Sequence, residues 1–469
     1  MNSFGKIGFI LAALGSSIGL GHIWRFPYMA GTNGGGAFVV LLYLFLALSI
    51  GIAMLVGEML LGNKGRANAF KSYENLAPPH RKRWRYAGLT LIGGPIILSF
   101  YAIVLGWVFY YLFFVSFNLP TDIESSTAIF NDLYTQGFIL QSLGLLFVMG
   151  LSGWVISRGV KRGIERLNLI LTPLLFLIFF GLLLYAMSME SFSKAVAFML
   201  SFNTEELKKA LNLNVFVDSL GQVFFSLSLG VGIIITYAAS SQETQNLFKS
   251  ALWIVLSGVV IAIMAGLMIF TFVYEYNGEV GAGAGLIFIT LPVMLSHLGI
   301  LGNIIACLFL IAFSFAGITS AISLLEPAVM YVCENAKYSR AKATWSIVGA
   351  VFVLGMVIIG SISTPLSSYL TFGAKSLMDV VEFLSANIIM TLGGLLAVIF
   401  MGWVVPKAQL QSFSAGFFTP IMFHIWYFLM RYVAPLITIV ILLAVCVQFF
   451  TGKDIASFIF EAIRYEKSH

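Results

Sequence analysis

The stretch GSSIGLGHIWRFP, Gly15 to Pro27, decides how this chain is read. It lies inside the first long apolar run, 4–30. Gly15, Gly19 and Gly21 interrupt the helical pattern where lipid depth would be greatest. Backbone freed at that depth must be buried in protein or must line a wet cavity. Arg25 follows, and a cation there needs water or a partner. The stretch reads as a helix broken at the membrane midplane, with peptide groups offered to a ligand. A glycine-rich packing face, as in helix dimers, is the plainer alternative.

The whole chain agrees with a membrane setting. It is 59% hydrophobic and 10% charged, whereas soluble domains carry about 25% charged residues. An all-α polytopic membrane protein follows, with membrane lipid as its surroundings. The net charge of +6 sits in short loops between apolar runs, which excludes a nucleic-acid partner. No feature marks an obligate protein partner. Cys307, Cys333 and Cys446 show neither disulfide nor metal spacing. The first residues lack the pattern of a cleaved signal peptide. No nucleotide loop or catalytic cluster is present, so an enzyme is not expected.

A crossing needs about 20 apolar residues. Eleven stretches meet this, near 4–30, 35–62, 86–117, 137–156, 165–187, 213–239, 247–275, 297–334, 342–360, 376–403 and 417–450. The loop 63–85 carries Lys64, Arg66, Lys71, Arg81, Lys82, Arg83 and Arg85, and the loop 157–166 carries Arg158, Lys161, Arg162 and Arg166. Lys337, Arg340, Lys342 and Lys407 fall in loops of the same parity. The opposite loop 118–135 holds Asp122, Glu124 and Asp132 and no cation. The positive-inside rule then predicts a cytoplasmic N-terminus. Eleven spans put the C-terminal tail outside, against the mild pull of Lys453, Arg464 and Lys467.

An internal echo adds topology. Ser17-Ile-Gly-Leu-Gly21 returns as Ser228-Leu-Gly-Val-Gly232, five spans later. Five is odd, so the second copy enters from the opposite side. That is the pattern of an inverted repeat whose broken helices meet at a midplane site. The predicted units are 1–187 with spans 1 to 5, 188–403 with spans 6 to 10, and 404–469 with span 11 and the tail. A channel would need a carbonyl filter or a ring of charge, and neither is seen.

GLGHIWRFPY, then NGGGAF at 33–38, GQVFFSLSLGVG at 221–232 and FAGITS at 315–320 resemble the neurotransmitter:sodium symporter family. Eleven spans and short loops look like its bacterial branch, with a leucine-transporter-like fold. The resemblance implies an amino-acid site between spans 1, 3, 6 and 8. The substrate carboxylate would meet the amides of Leu20 and Gly21, where half-helix dipoles favour an anion, and the hydroxyl of Tyr101. The amino group would face carbonyls of the broken helices and Ser228. Ile97, Phe225, Val231, Ser320 and Leu324 would line the side-chain pocket, with Ser17 and Val231 setting its volume. Gly19 stands where monoamine carriers have aspartate, which points to a substrate that brings its own carboxylate.

The same resemblance implies an ion site. Hard cations want oxygen, and unwound helices supply carbonyls. The family's second sodium site maps onto the carbonyls of Gly15, Ile18 and Ala316 and the hydroxyls of Thr319 and Ser320. The first sodium site departs from the family pattern. Beside Ser17, its two asparagines become His22 and Gly258, and Ser226 stands for threonine. Ala262 replaces the chloride-site serine or its acidic substitute, so chloride is not expected as a cofactor. A protonated His22 could take the place of the first sodium. The outer gate would be Arg25 with Glu382. At the inner gate Glu334 matches the acid, but only Lys6 is near for the basic partner. Either that gate is altered or the start lies upstream.

The function these residues imply is a sodium-driven secondary-active amino-acid symporter of a bacterial inner membrane. A substrate sensor of the same fold with little flux, and a carrier coupled to one sodium plus one proton, are the alternatives.

Overall fold

The computed structural model describes residues 3–33, 35–201, 204–210, 212–276, 285–363, 366–372 and 375–452. The tail with Lys453, Arg464 and Lys467 lies outside the described residues. Among these residues, nine helices are long and apolar enough to cross a membrane. They are Leu42–Gly65 (span 2), Pro79–Val115 (span 3), Phe138–Ser157 (span 4), Val160–Ala186 (span 5), Leu247–Glu275 (span 7), Ile300–Asn335 (span 8), Arg340–Ile362 (span 9), Leu377–Val404 (span 10) and Pro420–Thr451 (span 11). Span 1 is a bent pair, Lys6–Ser17 and Gly21–Thr32, turned by 54° at its break. Span 6 is likewise two pieces, Leu213–Ser226 and Ile233–Ala239. The chain is thus an all-α polytopic membrane protein. Its described strands are one antiparallel ribbon, Thr371–Phe372 with Lys375–Ser376.

Burial separates the centre from the rim. Spans 2, 3 and 8 have 78%, 72% and 72% of their most apolar windows buried, against 28% for span 5 and 22% for span 11. Span 5 turns Leu174, Leu177 and Phe180 outward, and span 11 turns Leu436 and Leu443 outward. In a bilayer such surface meets lipid at no cost, so these helices can be apolar all round. The broken spans sit inside this ring, as unwound backbone at membrane depth requires.

The basic segment before span 3, read from the sequence as loop, is largely helical from Pro79 onward, with a kink at Arg81. The linkers also fold: Ala69–Leu76, Ile123–Asn131, Phe192–Leu200 and Leu291–Ser296 are short helices. Their apolar periodicity is too brief to stand out from a composition this hydrophobic.

At the basic end of the bundle an aromatic is packed inside. Phe4 is buried, its amide donates to Ser240 O at 2.9 Å, and its ring meets Tyr237 edge-on at 5.4 Å. Gly5 N donates to Glu165 Oε1 at 3.0 Å. Glu334, expected as the gate acid facing the N-terminal segment, instead accepts from the Asn68 side chain at 2.6 Å and from its amide at 3.1 Å. It thereby anchors the residue that caps Ala69–Leu76. The buried carboxylate paired with an arginine at this end is Glu326, against Arg340, while Glu74 and Glu243 pair with Arg85 and Arg66 nearer the surface.

Candidate functional site

The two breaks are built from the same Ser-x-Gly-x-Gly letters in different ways. In span 1 the helix stops because Ile18 turns extended, with φ −78° and ψ 96°, while its amide still bonds Leu14 O. Gly19 and Gly21 keep negative φ, so backbone freedom is not what they supply. A Cβ on Gly19 would lie 2.6 Å from Ser320 Oγ and 3.0 Å from Tyr101 OH, and one on Gly21 would lie 2.7 Å from the Phe225 ring. These glycines are therefore space. In span 6, Ser228, Gly230 and Gly232 take positive φ of 53°, 84° and 75°, the left-handed conformation that glycine adopts without strain.

Cross-links hold the two breaks together. Ser228 Oγ donates to Ser16 O at 2.8 Å, and Gln222 Nε2 donates to Gly21 O at 2.8 Å. The buried Glu58 of span 2 accepts from Gly230 N at 2.7 Å. Orphan peptide groups created by unwinding are satisfied by side chains from other elements, as a dry interior demands.

Between the breaks lies one cavity. It is lined by Ser17, Leu20, Gly21, Ile97, Tyr101, Phe225, Ser228, Val231, Ser320 and Leu324, the ten residues the resemblance selected. Ser16, Gly19, Ile233 and Met390 complete the wall. Ser16, Ile233 and Met390 were not anticipated, because Ser16 contributes a carbonyl and the other two are apolar residues of spans 6 and 10, and none stands out in a string of letters. The Tyr101 hydroxyl is buried and has no hydrogen-bond partner among the described residues. It faces Gly19 and lies beside the Leu20 amide and Ser320. A buried, unpaired hydroxyl next to helix-break amides can meet an anionic group without first breaking a bond inside the protein.

Oxygens gather at the end of the first half of span 1. Ser320 Oγ lies 3.2 Å from Gly15 O, 3.2 Å from Ser16 O and 3.4 Å from Ile18 O. Thr319 Oγ lies 3.0 Å from both Phe315 O and Ala316 O of its own helix, and its Cβ is 3.1 Å from where a Cβ on Gly15 would stand. Carbonyls and hydroxyls expected of a cation site thus converge from spans 1 and 8, with no carboxylate among them. Neutral oxygens suit a monovalent ion, since divalent sites recruit carboxylates.

His22 is arranged differently. It is buried, and its Nδ1–H donates to Ser17 O at 2.9 Å. A Cβ on Gly258 would lie 2.8 Å from His22 Nε2. The imidazole therefore occupies the space that a side chain at 258 would need, and it consumes the Ser17 carbonyl. Ser226 Oγ donates to Val223 O at 3.1 Å and accepts from Tyr43 OH at 3.4 Å. Ala262 is fully buried and brings no polar atom.

At the other end, Arg25 makes no direct ion pair with Glu382. Its guanidinium lies 5.5 Å from the Phe225 ring centre, on the cavity wall. The acidic groups whose fields reach it are Glu382 and Asp218. Asp218 was not anticipated; it lies on the first half of span 6, seven residues before Phe225 on the same helix, and only the fold turns it toward Arg25.

The profile of the Sodium:neurotransmitter symporter family matches residues 2–135 and 128–465. An uncharacterized sodium-dependent transporter, YhdH, of Bacillus subtilis (strain 168) is 34% identical over 446 residues, covering 93% of this chain and 96% of that protein. An uncharacterized sodium-dependent transporter of Haemophilus influenzae (strain ATCC 51907 / DSM 11121 / KW20 / Rd) is 29% identical over 452 residues, covering 94% and 96%. The crystal structure of MhsT in complex with L-phenylalanine superposes with a TM-score of 0.83 at 32% identity, covering 94% of this chain and 99% of that one. The two relatives are named as sodium-dependent transporters, the matching family is one of symporters and not of enzymes, and the match spans nearly the whole chain. The chain belongs to the sodium:neurotransmitter symporter family.

Proposed function

We propose that this protein is a sodium-coupled symporter that imports a small amino acid by alternating access. The observation that carries the reading is the unpaired Tyr101 hydroxyl in the cavity beside the Leu20 amide. Substrate carboxylate would bind Tyr101 and the Leu20 and Gly21 amides, and its amino group would face break carbonyls and Ser228. Ile97, Phe225, Val231 and Leu324 would contact the side chain. MhsT, solved with L-phenylalanine, supports an amino-acid substrate. Sodium would sit among Gly15, Ile18, Ala316, Thr319 and Ser320.

Ion and substrate sites share the ends of the broken span, so filling one stabilises the backbone of the other. Coupling of this kind is reciprocal. The repeats 1–187 and 188–403 would rock about the site while 404–469 stays peripheral. The basic end would face the cytoplasm of a bacterial inner membrane. Chloride would play no part, because Ala262 offers no hydroxyl.

Uptake of labelled amino acids by proteoliposomes under an inward sodium gradient tests the proposal. Saturable, sodium-driven flux and counterflow are expected. Amino-acid binding without flux would favour a sensor instead.

The outer gate is read from Arg25 and Glu382. Closure over the substrate would bring them from their present separation into a direct pair, after which losing either partner leaves a buried charge alone. Arg25→Ala and Glu382→Ala are each expected to cut the rate of uptake by about tenfold or more while substrate still binds. Unchanged uptake in both variants would remove the pair from the transport cycle.

His22 and Gly258 support a single sodium ion per cycle, since the imbedded imidazole takes both the Ser17 carbonyl and the space at 258. Sodium titrations of substrate binding are expected to be non-cooperative. The sodium-plus-proton alternative requires binding that strengthens as pH falls through the histidine range, a dependence that His22→Gln would flatten. Cooperative sodium binding would overturn the single-ion reading.

A further inference from the structure

Asn168 lies on span 5 and is fully buried. Its Nδ2 donates to Ile164 O, one turn back on the same helix, at 2.9 Å. That bond fixes the amide and turns Oδ1 away from its own helix. Oδ1 has no partner among the described residues. It is aimed at span 1: a Cβ on Gly15 would lie 2.0 Å from it, and the same point is 3.1 Å from Thr319 Cβ. Only glycine at 15 lets the amide oxygen approach this closely. Asn168 and Thr319 therefore flank Gly15 from two neighbouring helices, where the carbonyl of Gly15 and the hydroxyls of Thr319 and Ser320 gather.

Buried acceptors are nearly always satisfied, and none of the surrounding protein groups donates to this one. The same face of span 5 carries Thr172, one turn further on, whose buried hydroxyl is likewise unpartnered. Two such oxygens on a helix otherwise turned toward lipid are costly unless something binds them. A monovalent cation in the adjoining oxygen cluster is a partner that such a bare acceptor can take.

We propose that Asn168 Oδ1 is a further oxygen of the cation site, supplied by span 5 to the cluster formed by spans 1 and 8. A neutral amide adds a strong dipole without adding charge, so the site keeps its fit to a monovalent ion. Span 5 thereby becomes part of the ion's coordination instead of a packing wall. The inference rests on reading the Gly15–Thr319–Ser320 cluster as the sodium site.

The test is a sodium titration of the full-length protein in detergent, followed by thermal shift, with lithium and potassium as comparison ions. Asn168→Leu keeps the volume and deletes the oxygen. Asn168→Asp keeps Oδ1 and deletes the donor to Ile164. If Oδ1 serves the ion, the leucine variant raises half-saturating sodium by about tenfold or more, and the aspartate variant holds or lowers it. Equal defects in both variants would make Asn168 a helix-internal donor only, and wild-type titration in the leucine variant would also overturn the proposal. Should leucine prevent folding, Asn168→Ala is read the same way against aspartate. Thr319→Val separates the two levels. If that variant titrates like wild type, the cluster is not the sodium site; if it is impaired while Asn168→Leu is not, only the role of Asn168 fails.

Discussion

Thr319→Val is expected to raise the half-saturating sodium concentration for substrate binding by at least about tenfold. The substitution keeps the side-chain shape and the packing of span 8, which is buried on this face. It deletes the hydroxyl beside Ala316 O, next to the Ser320 hydroxyl that comes within hydrogen-bond range of Gly15 O and Ile18 O across spans 1 and 8. Losing one contact to a charged group costs about 1.5–3 kcal/mol, which corresponds to roughly one to two decades in affinity. Reciprocity supplies the control, because a pure ion defect leaves substrate affinity recoverable at high sodium. Substrate binding that stays weak at saturating sodium would indicate damage to the fold. A sodium titration matching wild type would place the ion elsewhere.

Tyr101→Phe is expected to weaken substrate binding by about tenfold to a hundredfold, because it removes a hydrogen bond to a charged group. The hydroxyl is buried and unpaired, so phenylalanine leaves no orphaned protein group behind. The loss therefore reports the contact to the ligand itself. Isothermal titration with the free amino acid and with its methyl ester completes a cycle. The ester has no carboxylate, so the mutation should cost it little. Equal losses for acid and ester would show that Tyr101 shapes the cavity without touching the carboxylate. Unchanged binding of the acid would remove Tyr101 from the site.

Much of the fold was legible because a bilayer reduces folding to a few strong rules. Apolar length marks each crossing, and unpaired backbone is forbidden in lipid. The eleven stretches of the sequence correspond to nine long helices, a bent pair and a split pair. The short helices of the linkers, such as Ile123–Asn131, escaped notice because a few turns of apolar periodicity do not rise above a background of this hydrophobicity. The cavity residues were legible for another reason. Conspicuous glycines and serines marked the breaks, but the resemblance selected the lining, since residues such as Ile97, Phe225, Val231 and Leu324 in helices otherwise read as packing. The burial of Phe4 was not read because a single aromatic at the start of an apolar run carries no signal in one dimension. That burial appears only when its ring meets Tyr237 and its amide meets Ser240.

The sequence by itself determined the class of the protein, the number of crossings and the places where two of them break, since each follows from local composition or from letters a few positions apart. Only the tertiary structure decided why the glycines are there. Gly19 and Gly21 clear a cavity that Tyr101, Ser320 and Phe225 approach from other helices, while Gly230 and Gly232 permit left-handed backbone. It also decided that His22 fits because position 258 has no side chain, that Arg25 stands apart from Glu382, and that Asn168 turns a bare oxygen toward Gly15. Each of these depends on distances between helices far apart in the chain. Such distances are set by packing the whole bundle, and no local pattern encodes them.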